Sequence, residues 1–146
     1  MTQEDKELLF KDLCARLPYN VICQVEFRES GKYQSKSMFL SGVFTDEAYF
    51  TTESGSIYSN EYKPYLFPLS SMTEEQCYKF YCRFVENETD YNDFKKYYFG
   101  GCLWSKVLTS INDCSDIIDW FNKNHFDYRN LINKNLAIDC TNLNIY

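Results

Sequence analysis

Apart from Ile22, the segment NVICQVEFRES, residues 20 to 30, alternates between apolar and polar side chains. Val21, Cys23, Val25 and Phe27 fall on one side of an extended chain, and the polar residues between them fall on the other side. In a helix with one buried face, apolar residues recur about every 3.6 positions. The period of two in this segment therefore excludes such a helix. The segment therefore predicts a strand that packs one face on a core.

Turn signals follow that strand at short intervals. They are ESGK (29 to 32), TDEA (45 to 48) and ESGS (53 to 56), and they separate apolar runs at 38 to 44, 49 to 52 and 57 to 62. Short strands joined by tight turns pair as antiparallel neighbours. The pattern predicts a meander of about four strands, with a small barrel as the alternative in which the sheet curls.

Helices are predicted before and after the meander. The first runs from Gln3 to Leu17 and is capped by Thr2, with Glu4 and Asp5 near its positive end. Its predicted buried side consists of Leu9, Leu13 and Leu17, with Phe10 and Cys14 beside them. The capping box TEEQ predicts a second helix from Thr73 to about Val85, with Cys77, Tyr81, Phe84 and Val85 buried. A third helix is predicted over residues 115 to 123.

Segments outside these helices complete the prediction. YKPYLFPLSSM (62 to 72) is expected to be an extended connector against the core, because Pro64 and Pro68 interrupt regular pairing. A helical turn at 128 to 132 and a final strand at 136 to 140 end the chain, whereas residues 91 to 113 carry no pattern that predicts an element or a role. The fold class is α+β in a single domain over residues 1 to 146, with a helical C-terminal half.

Charge and composition exclude several classes of function. The 21 acidic residues outnumber the 15 basic ones, so the net charge of −6 argues against a general nucleic-acid binder. No apolar stretch approaches the roughly 18 residues of a membrane span. The opening MTQEDKELLF does not resemble a signal peptide, which predicts a cytoplasmic protein whose seven cysteines are reduced thiols. The 18% aromatic content fits a binding surface, but biased codon usage is the favoured explanation.

The single histidine, His125, is the first candidate for chemistry. A hydrolytic triad requires a nucleophile and a carboxylate beside it, and no nucleophile here has the usual sequence context. The structural interpretation is that His125 bonds free carbonyls at the end of the preceding helix, while Asp127 caps the turn that follows. The alternative is that His125, Asp127, Tyr128 and Arg129 form a small-ligand site for an anion or a nucleotide.

Metal ions and cofactors are not predicted. Cys77 and Cys82 are the closest pair of cysteines, and a spacing of five on a helix directs them to different faces. The acidic stretch with Glu86, Glu88, Asp90 and Asp93 lacks the ligand order of a calcium loop. It is interpreted as a solvated loop and as a weak candidate for contact with a partner.

Three blocks carry a resemblance to a known family. They are KDLCARLPYNVIC (11 to 23), YKPYLFPLSSMTEEQ (62 to 76) and NHFDYRNLINKNLAIDCTNLNIY (124 to 146). They resemble an uncharacterised family of small proteins from Bacteroidales genomes, phages and mobile elements. The resemblance implies a bacterial or phage origin and assigns no chemistry.

Small proteins of such elements often bind host or phage components. The predicted function is therefore a non-enzymatic binding or accessory protein that acts through a protein partner. A small enzyme or ligand binder that uses His125, Asp127 and Arg129 is the alternative. The first hypothesis predicts an exposed apolar patch, and the second requires His125 to line a pocket. Neither the partner nor the oligomeric state follows from the sequence.

Overall fold

A computed structural model of the chain describes residues 1–44, 47–52, 55–84, 90–93 and 115–146. The chain divides into two compact units, one formed by Met1–Leu69 with Phe121–Tyr146 and the other by Ser70–Trp120. The architecture is mixed α+β, with an N-terminal helix, an antiparallel-rich sheet, further helices and a late strand. The predicted fold class is confirmed, and the single domain over residues 1 to 146 stays a prediction.

The first unit contains the sheet. Its strands are β1 (Ile22–Glu29), β2 (Lys32–Val43), β3 (Ala48–Thr52), β4 (Gly55–Ser59), β5 (Glu61–Pro68), β6 (Phe126–Asp127) and β7 (Ile138–Asp139). The spatial order is β4-β3-β2-β1-β5-β6, and β7 also pairs with β5. Strands β1 to β4 form the predicted antiparallel meander, and β5 returns antiparallel to β1. The short strands β6 and β7 are parallel to β5.

The sheet curls without closing. The hydroxyl of Ser59 donates to the carbonyl of Glu26 at 2.7 Å, so the end of β4 approaches β1. No ladder joins β4 to β5 among the described strands, and the barrel alternative is therefore wrong. The curl encloses the face that the alternation of β1 predicts to be buried, because Val21, Cys23 and Val25 are inaccessible to solvent.

Strand β5 corrects the predicted connector. Residues 61 to 64 pair with β1, residues 67 and 68 pair with β6, and residues 65 and 66 pair with β7. Leu66 accepts a hydrogen bond from the N–H of Cys140 at 3.0 Å on the edge away from β1. Alternation along a strand puts the nitrogen of Pro64, two residues earlier, on that same edge. The proline therefore removes no bond from the ladder with β1, and the expectation of interrupted pairing is wrong.

The predicted helix caps are confirmed. Helix α1 (Gln3–Arg16) begins at a capping box in which Thr2 and Asp5 exchange two hydrogen bonds of 3.1 Å. Helix α2 (Glu74–Phe84) begins at a second box, between Thr73 and Gln76. Helix α3 (Ser115–Lys123) has the predicted bounds. The final strand is shorter than predicted and covers only β7.

The buried stripe of α1 differs from the prediction. Leu9 and Leu13 are buried as expected, but Phe10 and Cys14 are exposed. Asp12 and Arg16 occupy the stripe instead, because positions 9, 12, 13 and 16 lie on one face of a helix. The core of the first unit consists of Leu9, Leu13, Val21, Cys23, Val25, Met38, Leu40, Ala48, Phe50, Leu66, Leu131, Leu136 and Ala137.

Aromatic side chains pack together in the interior of the second unit. Helix α2 buries Cys77, Phe80 and Tyr81, of which Phe80 was missed by the sequence prediction. The ring of Phe80 meets Trp120 edge-on at 5.0 Å. Val85 lies outside the described residues, and Phe84 is half-buried. Within the described parts of both units, no helix has the length and apolar character needed to cross a membrane.

Candidate functional site

His125 ends helix α3 through its backbone. Its φ of 57° is left-handed, its N–H donates to the carbonyl of Asn122 at 3.1 Å, and its carbonyl accepts the N–H of Phe67 at 2.9 Å. The imidazole was predicted to bond the free carbonyls of the helix. It stacks instead on the ring of Tyr146, with centroids 3.8 Å apart. The residue therefore closes the helix as expected, by a different set of atoms.

The environment of the imidazole keeps it neutral. Burial, and secondly the positive charge of Arg16, lower the pKa of His125 to about 4. Its Nδ1 atom is buried and has no hydrogen-bond partner in the part of the chain that the structure describes. A base with a pKa near 4 is poorly matched to general catalysis at neutral pH.

Asp127 caps the turn after β6, as predicted. Its Oδ1 accepts the N–H of Leu131 and its Oδ2 accepts the N–H of Ile132, both at 2.8 Å. The side chain is almost fully enclosed. Because each carboxylate oxygen already serves a backbone donor, Asp127 is committed to the local fold.

Arg129 pairs with a carboxylate that the sequence prediction missed. Its Nε lies 3.3 Å from Oδ1 of Asp12 and donates to the hydroxyl of Tyr128 at 3.1 Å. Asp12 is also held by Arg16, whose Nε donates to Oδ2 at 2.6 Å. Both members of that second pair are inaccessible to solvent. The spacing of four on α1 was the available sequence signal, but such pairs usually lie on an exposed face.

A cluster of Asp12, Arg16, Tyr128 and Arg129, in which Asp12 and Arg16 are buried, joins distant parts of the chain. Nη2 of Arg16 donates to the carbonyl of Phe126 at 2.8 Å, which links α1 to β6. The guanidinium groups of Arg16 and Arg129 both lie over the ring of Tyr128. The structure thus brings two of the four candidate ligand residues, Tyr128 and Arg129, into this cluster, whose contacts stabilise the first unit.

The acidic stretch is described only in part. Glu86 and Glu88 lie outside the described residues, while Asp90 and Asp93 are exposed. Oδ1 of Asp90 accepts the N–H of Asn92 at 2.8 Å. Across the described ranges, no group of three or more His, Cys, Asp or Glu side chains is placed to hold a metal ion.

Four of the described cysteines have thiol pKa values above the ordinary value. Burial raises the pKa of the Cys23 thiol far above its ordinary value, and burial together with Asp139 raises the pKa of Cys140 to about 11. The pKa values of Cys14 and Cys77 are raised as well, mainly by burial. Catalytic thiols need a lowered pKa, so none of these four fits that role.

Aromatic side chains form an exposed patch at the β3–β4 edge of the sheet. The aromatic patch consists of Phe44, Tyr49 and Tyr58, with ring centroids 4.9 Å apart for Tyr49–Tyr58 and 6.0 Å apart for Phe44–Tyr58. Phe44 is 50% exposed and Tyr58 is 57% exposed. Strand β4 pairs only with β3 among the described strands, so the patch adjoins a sheet edge. Composition alone does not distinguish these exposed aromatic residues from those in the core.

A cleft of about 580 Å³ opens elsewhere in the first unit. It is lined by Met1, Asp5, Leu9, Gln24, Glu26, Asn60, Glu61, Tyr62, Lys63, Lys134, Asn135, Leu136 and Ile138. Its volume falls within the roughly 300–1,000 Å³ of ligand pockets. None of His125, Asp127, Tyr128 and Arg129 lines it, and none of its lining residues was predicted as a site.

Comparison of the chain with protein families, with curated proteins and with solved structures finds no match. The resemblance of the three sequence blocks therefore stays a prediction, and the function must be inferred from the surfaces and the cleft.

Proposed function

We propose that this protein is a non-enzymatic binding protein of a bacterial mobile element or phage, and that it acts in the cytoplasm through a protein partner. The observation that carries the proposal is the aromatic patch of Phe44, Tyr49 and Tyr58 beside β4, which pairs only with β3 among the described strands. Tyrosine and other aromatic side chains supply much of the binding energy at protein interfaces. An exposed apolar patch is also what this hypothesis requires.

The charge around the patch supports a protein rather than a nucleic acid. Strands β3 and β4, with sequences AYFTT and GSIYS, contain no lysine or arginine. Nucleic-acid bases also stack on aromatic rings, but binding of the phosphate backbone depends on cations. The absence of cations from these two strands and the net charge of −6 therefore favour a protein, rather than a nucleic acid, as the partner of the patch.

The small-ligand alternative has weaker support. Asp127 accepts two backbone hydrogen bonds, Arg129 pairs with Asp12, and the imidazole of His125 is stacked on Tyr146. Each of these contacts would have to be broken before an anion or nucleotide could use the group. The alternative therefore ranks second.

Site-specific photocrosslinking tests the proposal. A photoreactive phenylalanine analogue at position 58 should crosslink to one protein in a Bacteroidales lysate, and that protein, once purified, should bind saturably. Replacement of Phe44 and Tyr58 by serine should weaken binding at least about tenfold, as expected for interface aromatics. The matched control is Tyr33→Ser, which removes an aromatic that is 67% exposed at the β1–β2 turn. Equal binding by the Phe44/Tyr58 variant would overturn the proposal.

A further inference from the structure

The cleft exists because β5 and the chain before β7 separate. Their parallel pairing is limited to Tyr65 with Ile138 and Leu66 with Asp139. Continuation of the ladder toward Leu136 would need an N–H at position 64, and Pro64 has none. The N–H of Leu136 donates instead to the carbonyl of Leu131 at 2.9 Å. The two segments therefore diverge, and the first half of β5 borders the cleft.

This divergence leaves part of a sheet edge unpaired. Alternation along β5 directs the N–H and C=O of Tyr62 to the same edge as those of Leu66, away from β1. Leu66 uses its carbonyl to bind Cys140. On that edge the described strands pair with β5 at residues 65 and 66, and residues 61 to 63 have no partner strand there. Tyr62 thus presents a backbone donor and a backbone acceptor, the pattern that an added strand requires.

The cleft also carries an uncompensated negative charge. Glu26 and Glu61 are directly opposed in the β1–β5 ladder, and both side chains are exposed. Like charges in directly opposed positions destabilise a sheet. No cation within the described ranges makes an ion pair with either carboxylate.

The two lysines of the cleft are engaged elsewhere. Nζ of Lys63 donates to Oδ1 of Asn135 at 2.7 Å, and Nζ of Lys134 lies 3.9 Å from Oδ1 of Asp5. Ser59 meanwhile fixes the backbone around the two glutamates. Its hydroxyl donates to the carbonyl of Glu26 at 2.7 Å and accepts the N–H of Glu61 at 3.0 Å. The backbone that carries Glu26 and Glu61 is therefore fixed by hydrogen bonds before a ligand binds.

We infer that the cleft binds an extended, basic segment of a polypeptide, which adds to β5 as a short strand and directs a lysine or arginine to Glu26 and Glu61. The backbone groups of Tyr62 supply main-chain hydrogen bonds, and the two carboxylates select the cationic side chain. This site is separate from the aromatic patch and does not depend on the function proposed for that patch.

A random library of eight-residue peptides displayed on phage tests the inference. Selected peptides should be enriched in lysine or arginine at one position of an alternating sequence. Synthetic peptides from the selection, with blocked ends, should bind the wild-type protein and shift the backbone amide resonance of Tyr62. Recovery of no peptide, or of peptides without a basic position, would overturn the inference.

Variants then separate charge from backbone recognition. Glu26→Gln with Glu61→Gln should weaken peptide binding at least about fivefold, whereas Glu29→Gln with Glu47→Gln, outside the cleft, should change it less than about twofold. Peptides with N-methylated alternate residues should also bind at least about fivefold more weakly, because they lack main-chain donors. The inference of strand addition would be overturned if N-methylated peptides bound as tightly as the unmodified ones. It would also be overturned if spermidine, at the concentration of the peptide, competed for the site.

The two proposals can fail independently. The Phe44→Ser, Tyr58→Ser variant should retain full affinity for the selected peptides, since neither residue lines the cleft. Loss of peptide binding in that variant, with the fold intact by circular dichroism, would assign the peptides to the aromatic patch and overturn the cleft site.

Discussion

The imidazole of His125 lies flat against the ring of Tyr146, with an angle of 9° between the two planes. The hydroxyl of Tyr146 donates to the carbonyl of Tyr65 at 2.9 Å and accepts the N–H of Ile22 at 3.2 Å. The stacked pair thus connects the end of α3 with the neighbouring strands β1 and β5. Its two members lie 21 positions apart in the sequence, and the ring of Tyr146 also contacts that of Phe67, with centroids 5.9 Å apart.

Stability should fall in acid because of His125. Its pKa is 6.5 in the unfolded chain and about 4 in the folded one, so the unfolded state binds more protons between these values. The stabilisation is complete above pH 6.5 and is lost as the pH falls to about 4. We expect a contribution of about 1 to 2 kcal/mol, since the ring keeps part of its hydration.

Urea unfolding at pH 7 and pH 5 measures this dependence. The free energy of unfolding of the His125→Asn variant should change less between the two pH values than that of the wild-type protein. Asparagine tolerates the left-handed backbone, and the carboxylates titrate alike in both proteins. Because His125 is the single histidine, its ring protons report the pKa directly by NMR. A midpoint at or above pH 6 would contradict the prediction.

Removal of the Tyr146 hydroxyl should weaken the closure of the first unit. Tyr146→Phe keeps the stack on His125 but leaves the N–H of Ile22 and the carbonyl of Tyr65 without this partner. We expect a loss of about 1 kcal/mol in the free energy of unfolding, measured with urea. Tyr33→Phe, which breaks an exposed contact with Arg28, is the control and should cause a smaller loss.

Loss of the Asp12 carboxylate should be the most damaging single change described. Asp12→Ala leaves the buried guanidinium of Arg16 without its anion, which costs about 3 to 5 kcal/mol. Replacement of both partners, as Asp12→Leu with Arg16→Met, should recover at least half of that loss. Glu75→Gln, which breaks the exposed pair with Lys79, should leave the unfolding midpoint unchanged. A mild Asp12→Ala phenotype would show that the pair contributes little.

The two oxygens of Asp127 predict a graded series. Asp127→Asn retains one acceptor and should cost about 1 kcal/mol, while Asp127→Ala leaves two buried N–H groups unsatisfied and should cost about 2 to 3 kcal/mol. Hydrogen exchange of the Leu131 and Ile132 amides should accelerate in the same order. Equal stability of the two variants would indicate that the charge of Asp127, rather than its geometry, matters.

Removal of one cleft carboxylate should stabilise the protein. Glu61→Gln relieves the repulsion from the opposed Glu26, and we expect a gain of about 0.2 to 0.5 kcal/mol in urea unfolding. Glu29→Gln is the control, because Glu29 lies opposite Lys32 and its loss should not stabilise. A destabilised Glu61→Gln protein would mean that an internal cation already compensates the pair.

Local sequence patterns predicted local structure well. Alternation assigned the faces of β1, and the boxes at Thr2 and Thr73 located the starts of two helices, because each signal acts within a few residues. Pro64 misled the assignment of β5 because its cost depends on which edge its nitrogen faces. The partner on that edge is β7, which lies more than 70 residues later in the chain. A local sequence pattern around Pro64 carries no information about the position of β7.

The candidate sites were predicted less well for the same reason. The cap formed by Asp127 is local and was predicted, whereas the burial of Arg16 depends on the carbonyl of Phe126, 110 residues away. The cleft arises from four separate segments of the chain, so its lining residues share no sequence motif. Exposure of Phe44 and Tyr58 is likewise a property of the folded sheet.

The hydrogen bond from Arg16 to the carbonyl of Phe126 can form only late in translation, because the two residues are 110 positions apart. A ribosome that adds about 5 to 20 residues per second reaches Phe126 on the order of 5 to 20 seconds after Arg16. During that interval the guanidinium of Arg16 lacks the carbonyl that it binds in the finished unit. The nascent chain is therefore open to chaperones and proteases until the segment after residue 121 emerges and completes the first unit.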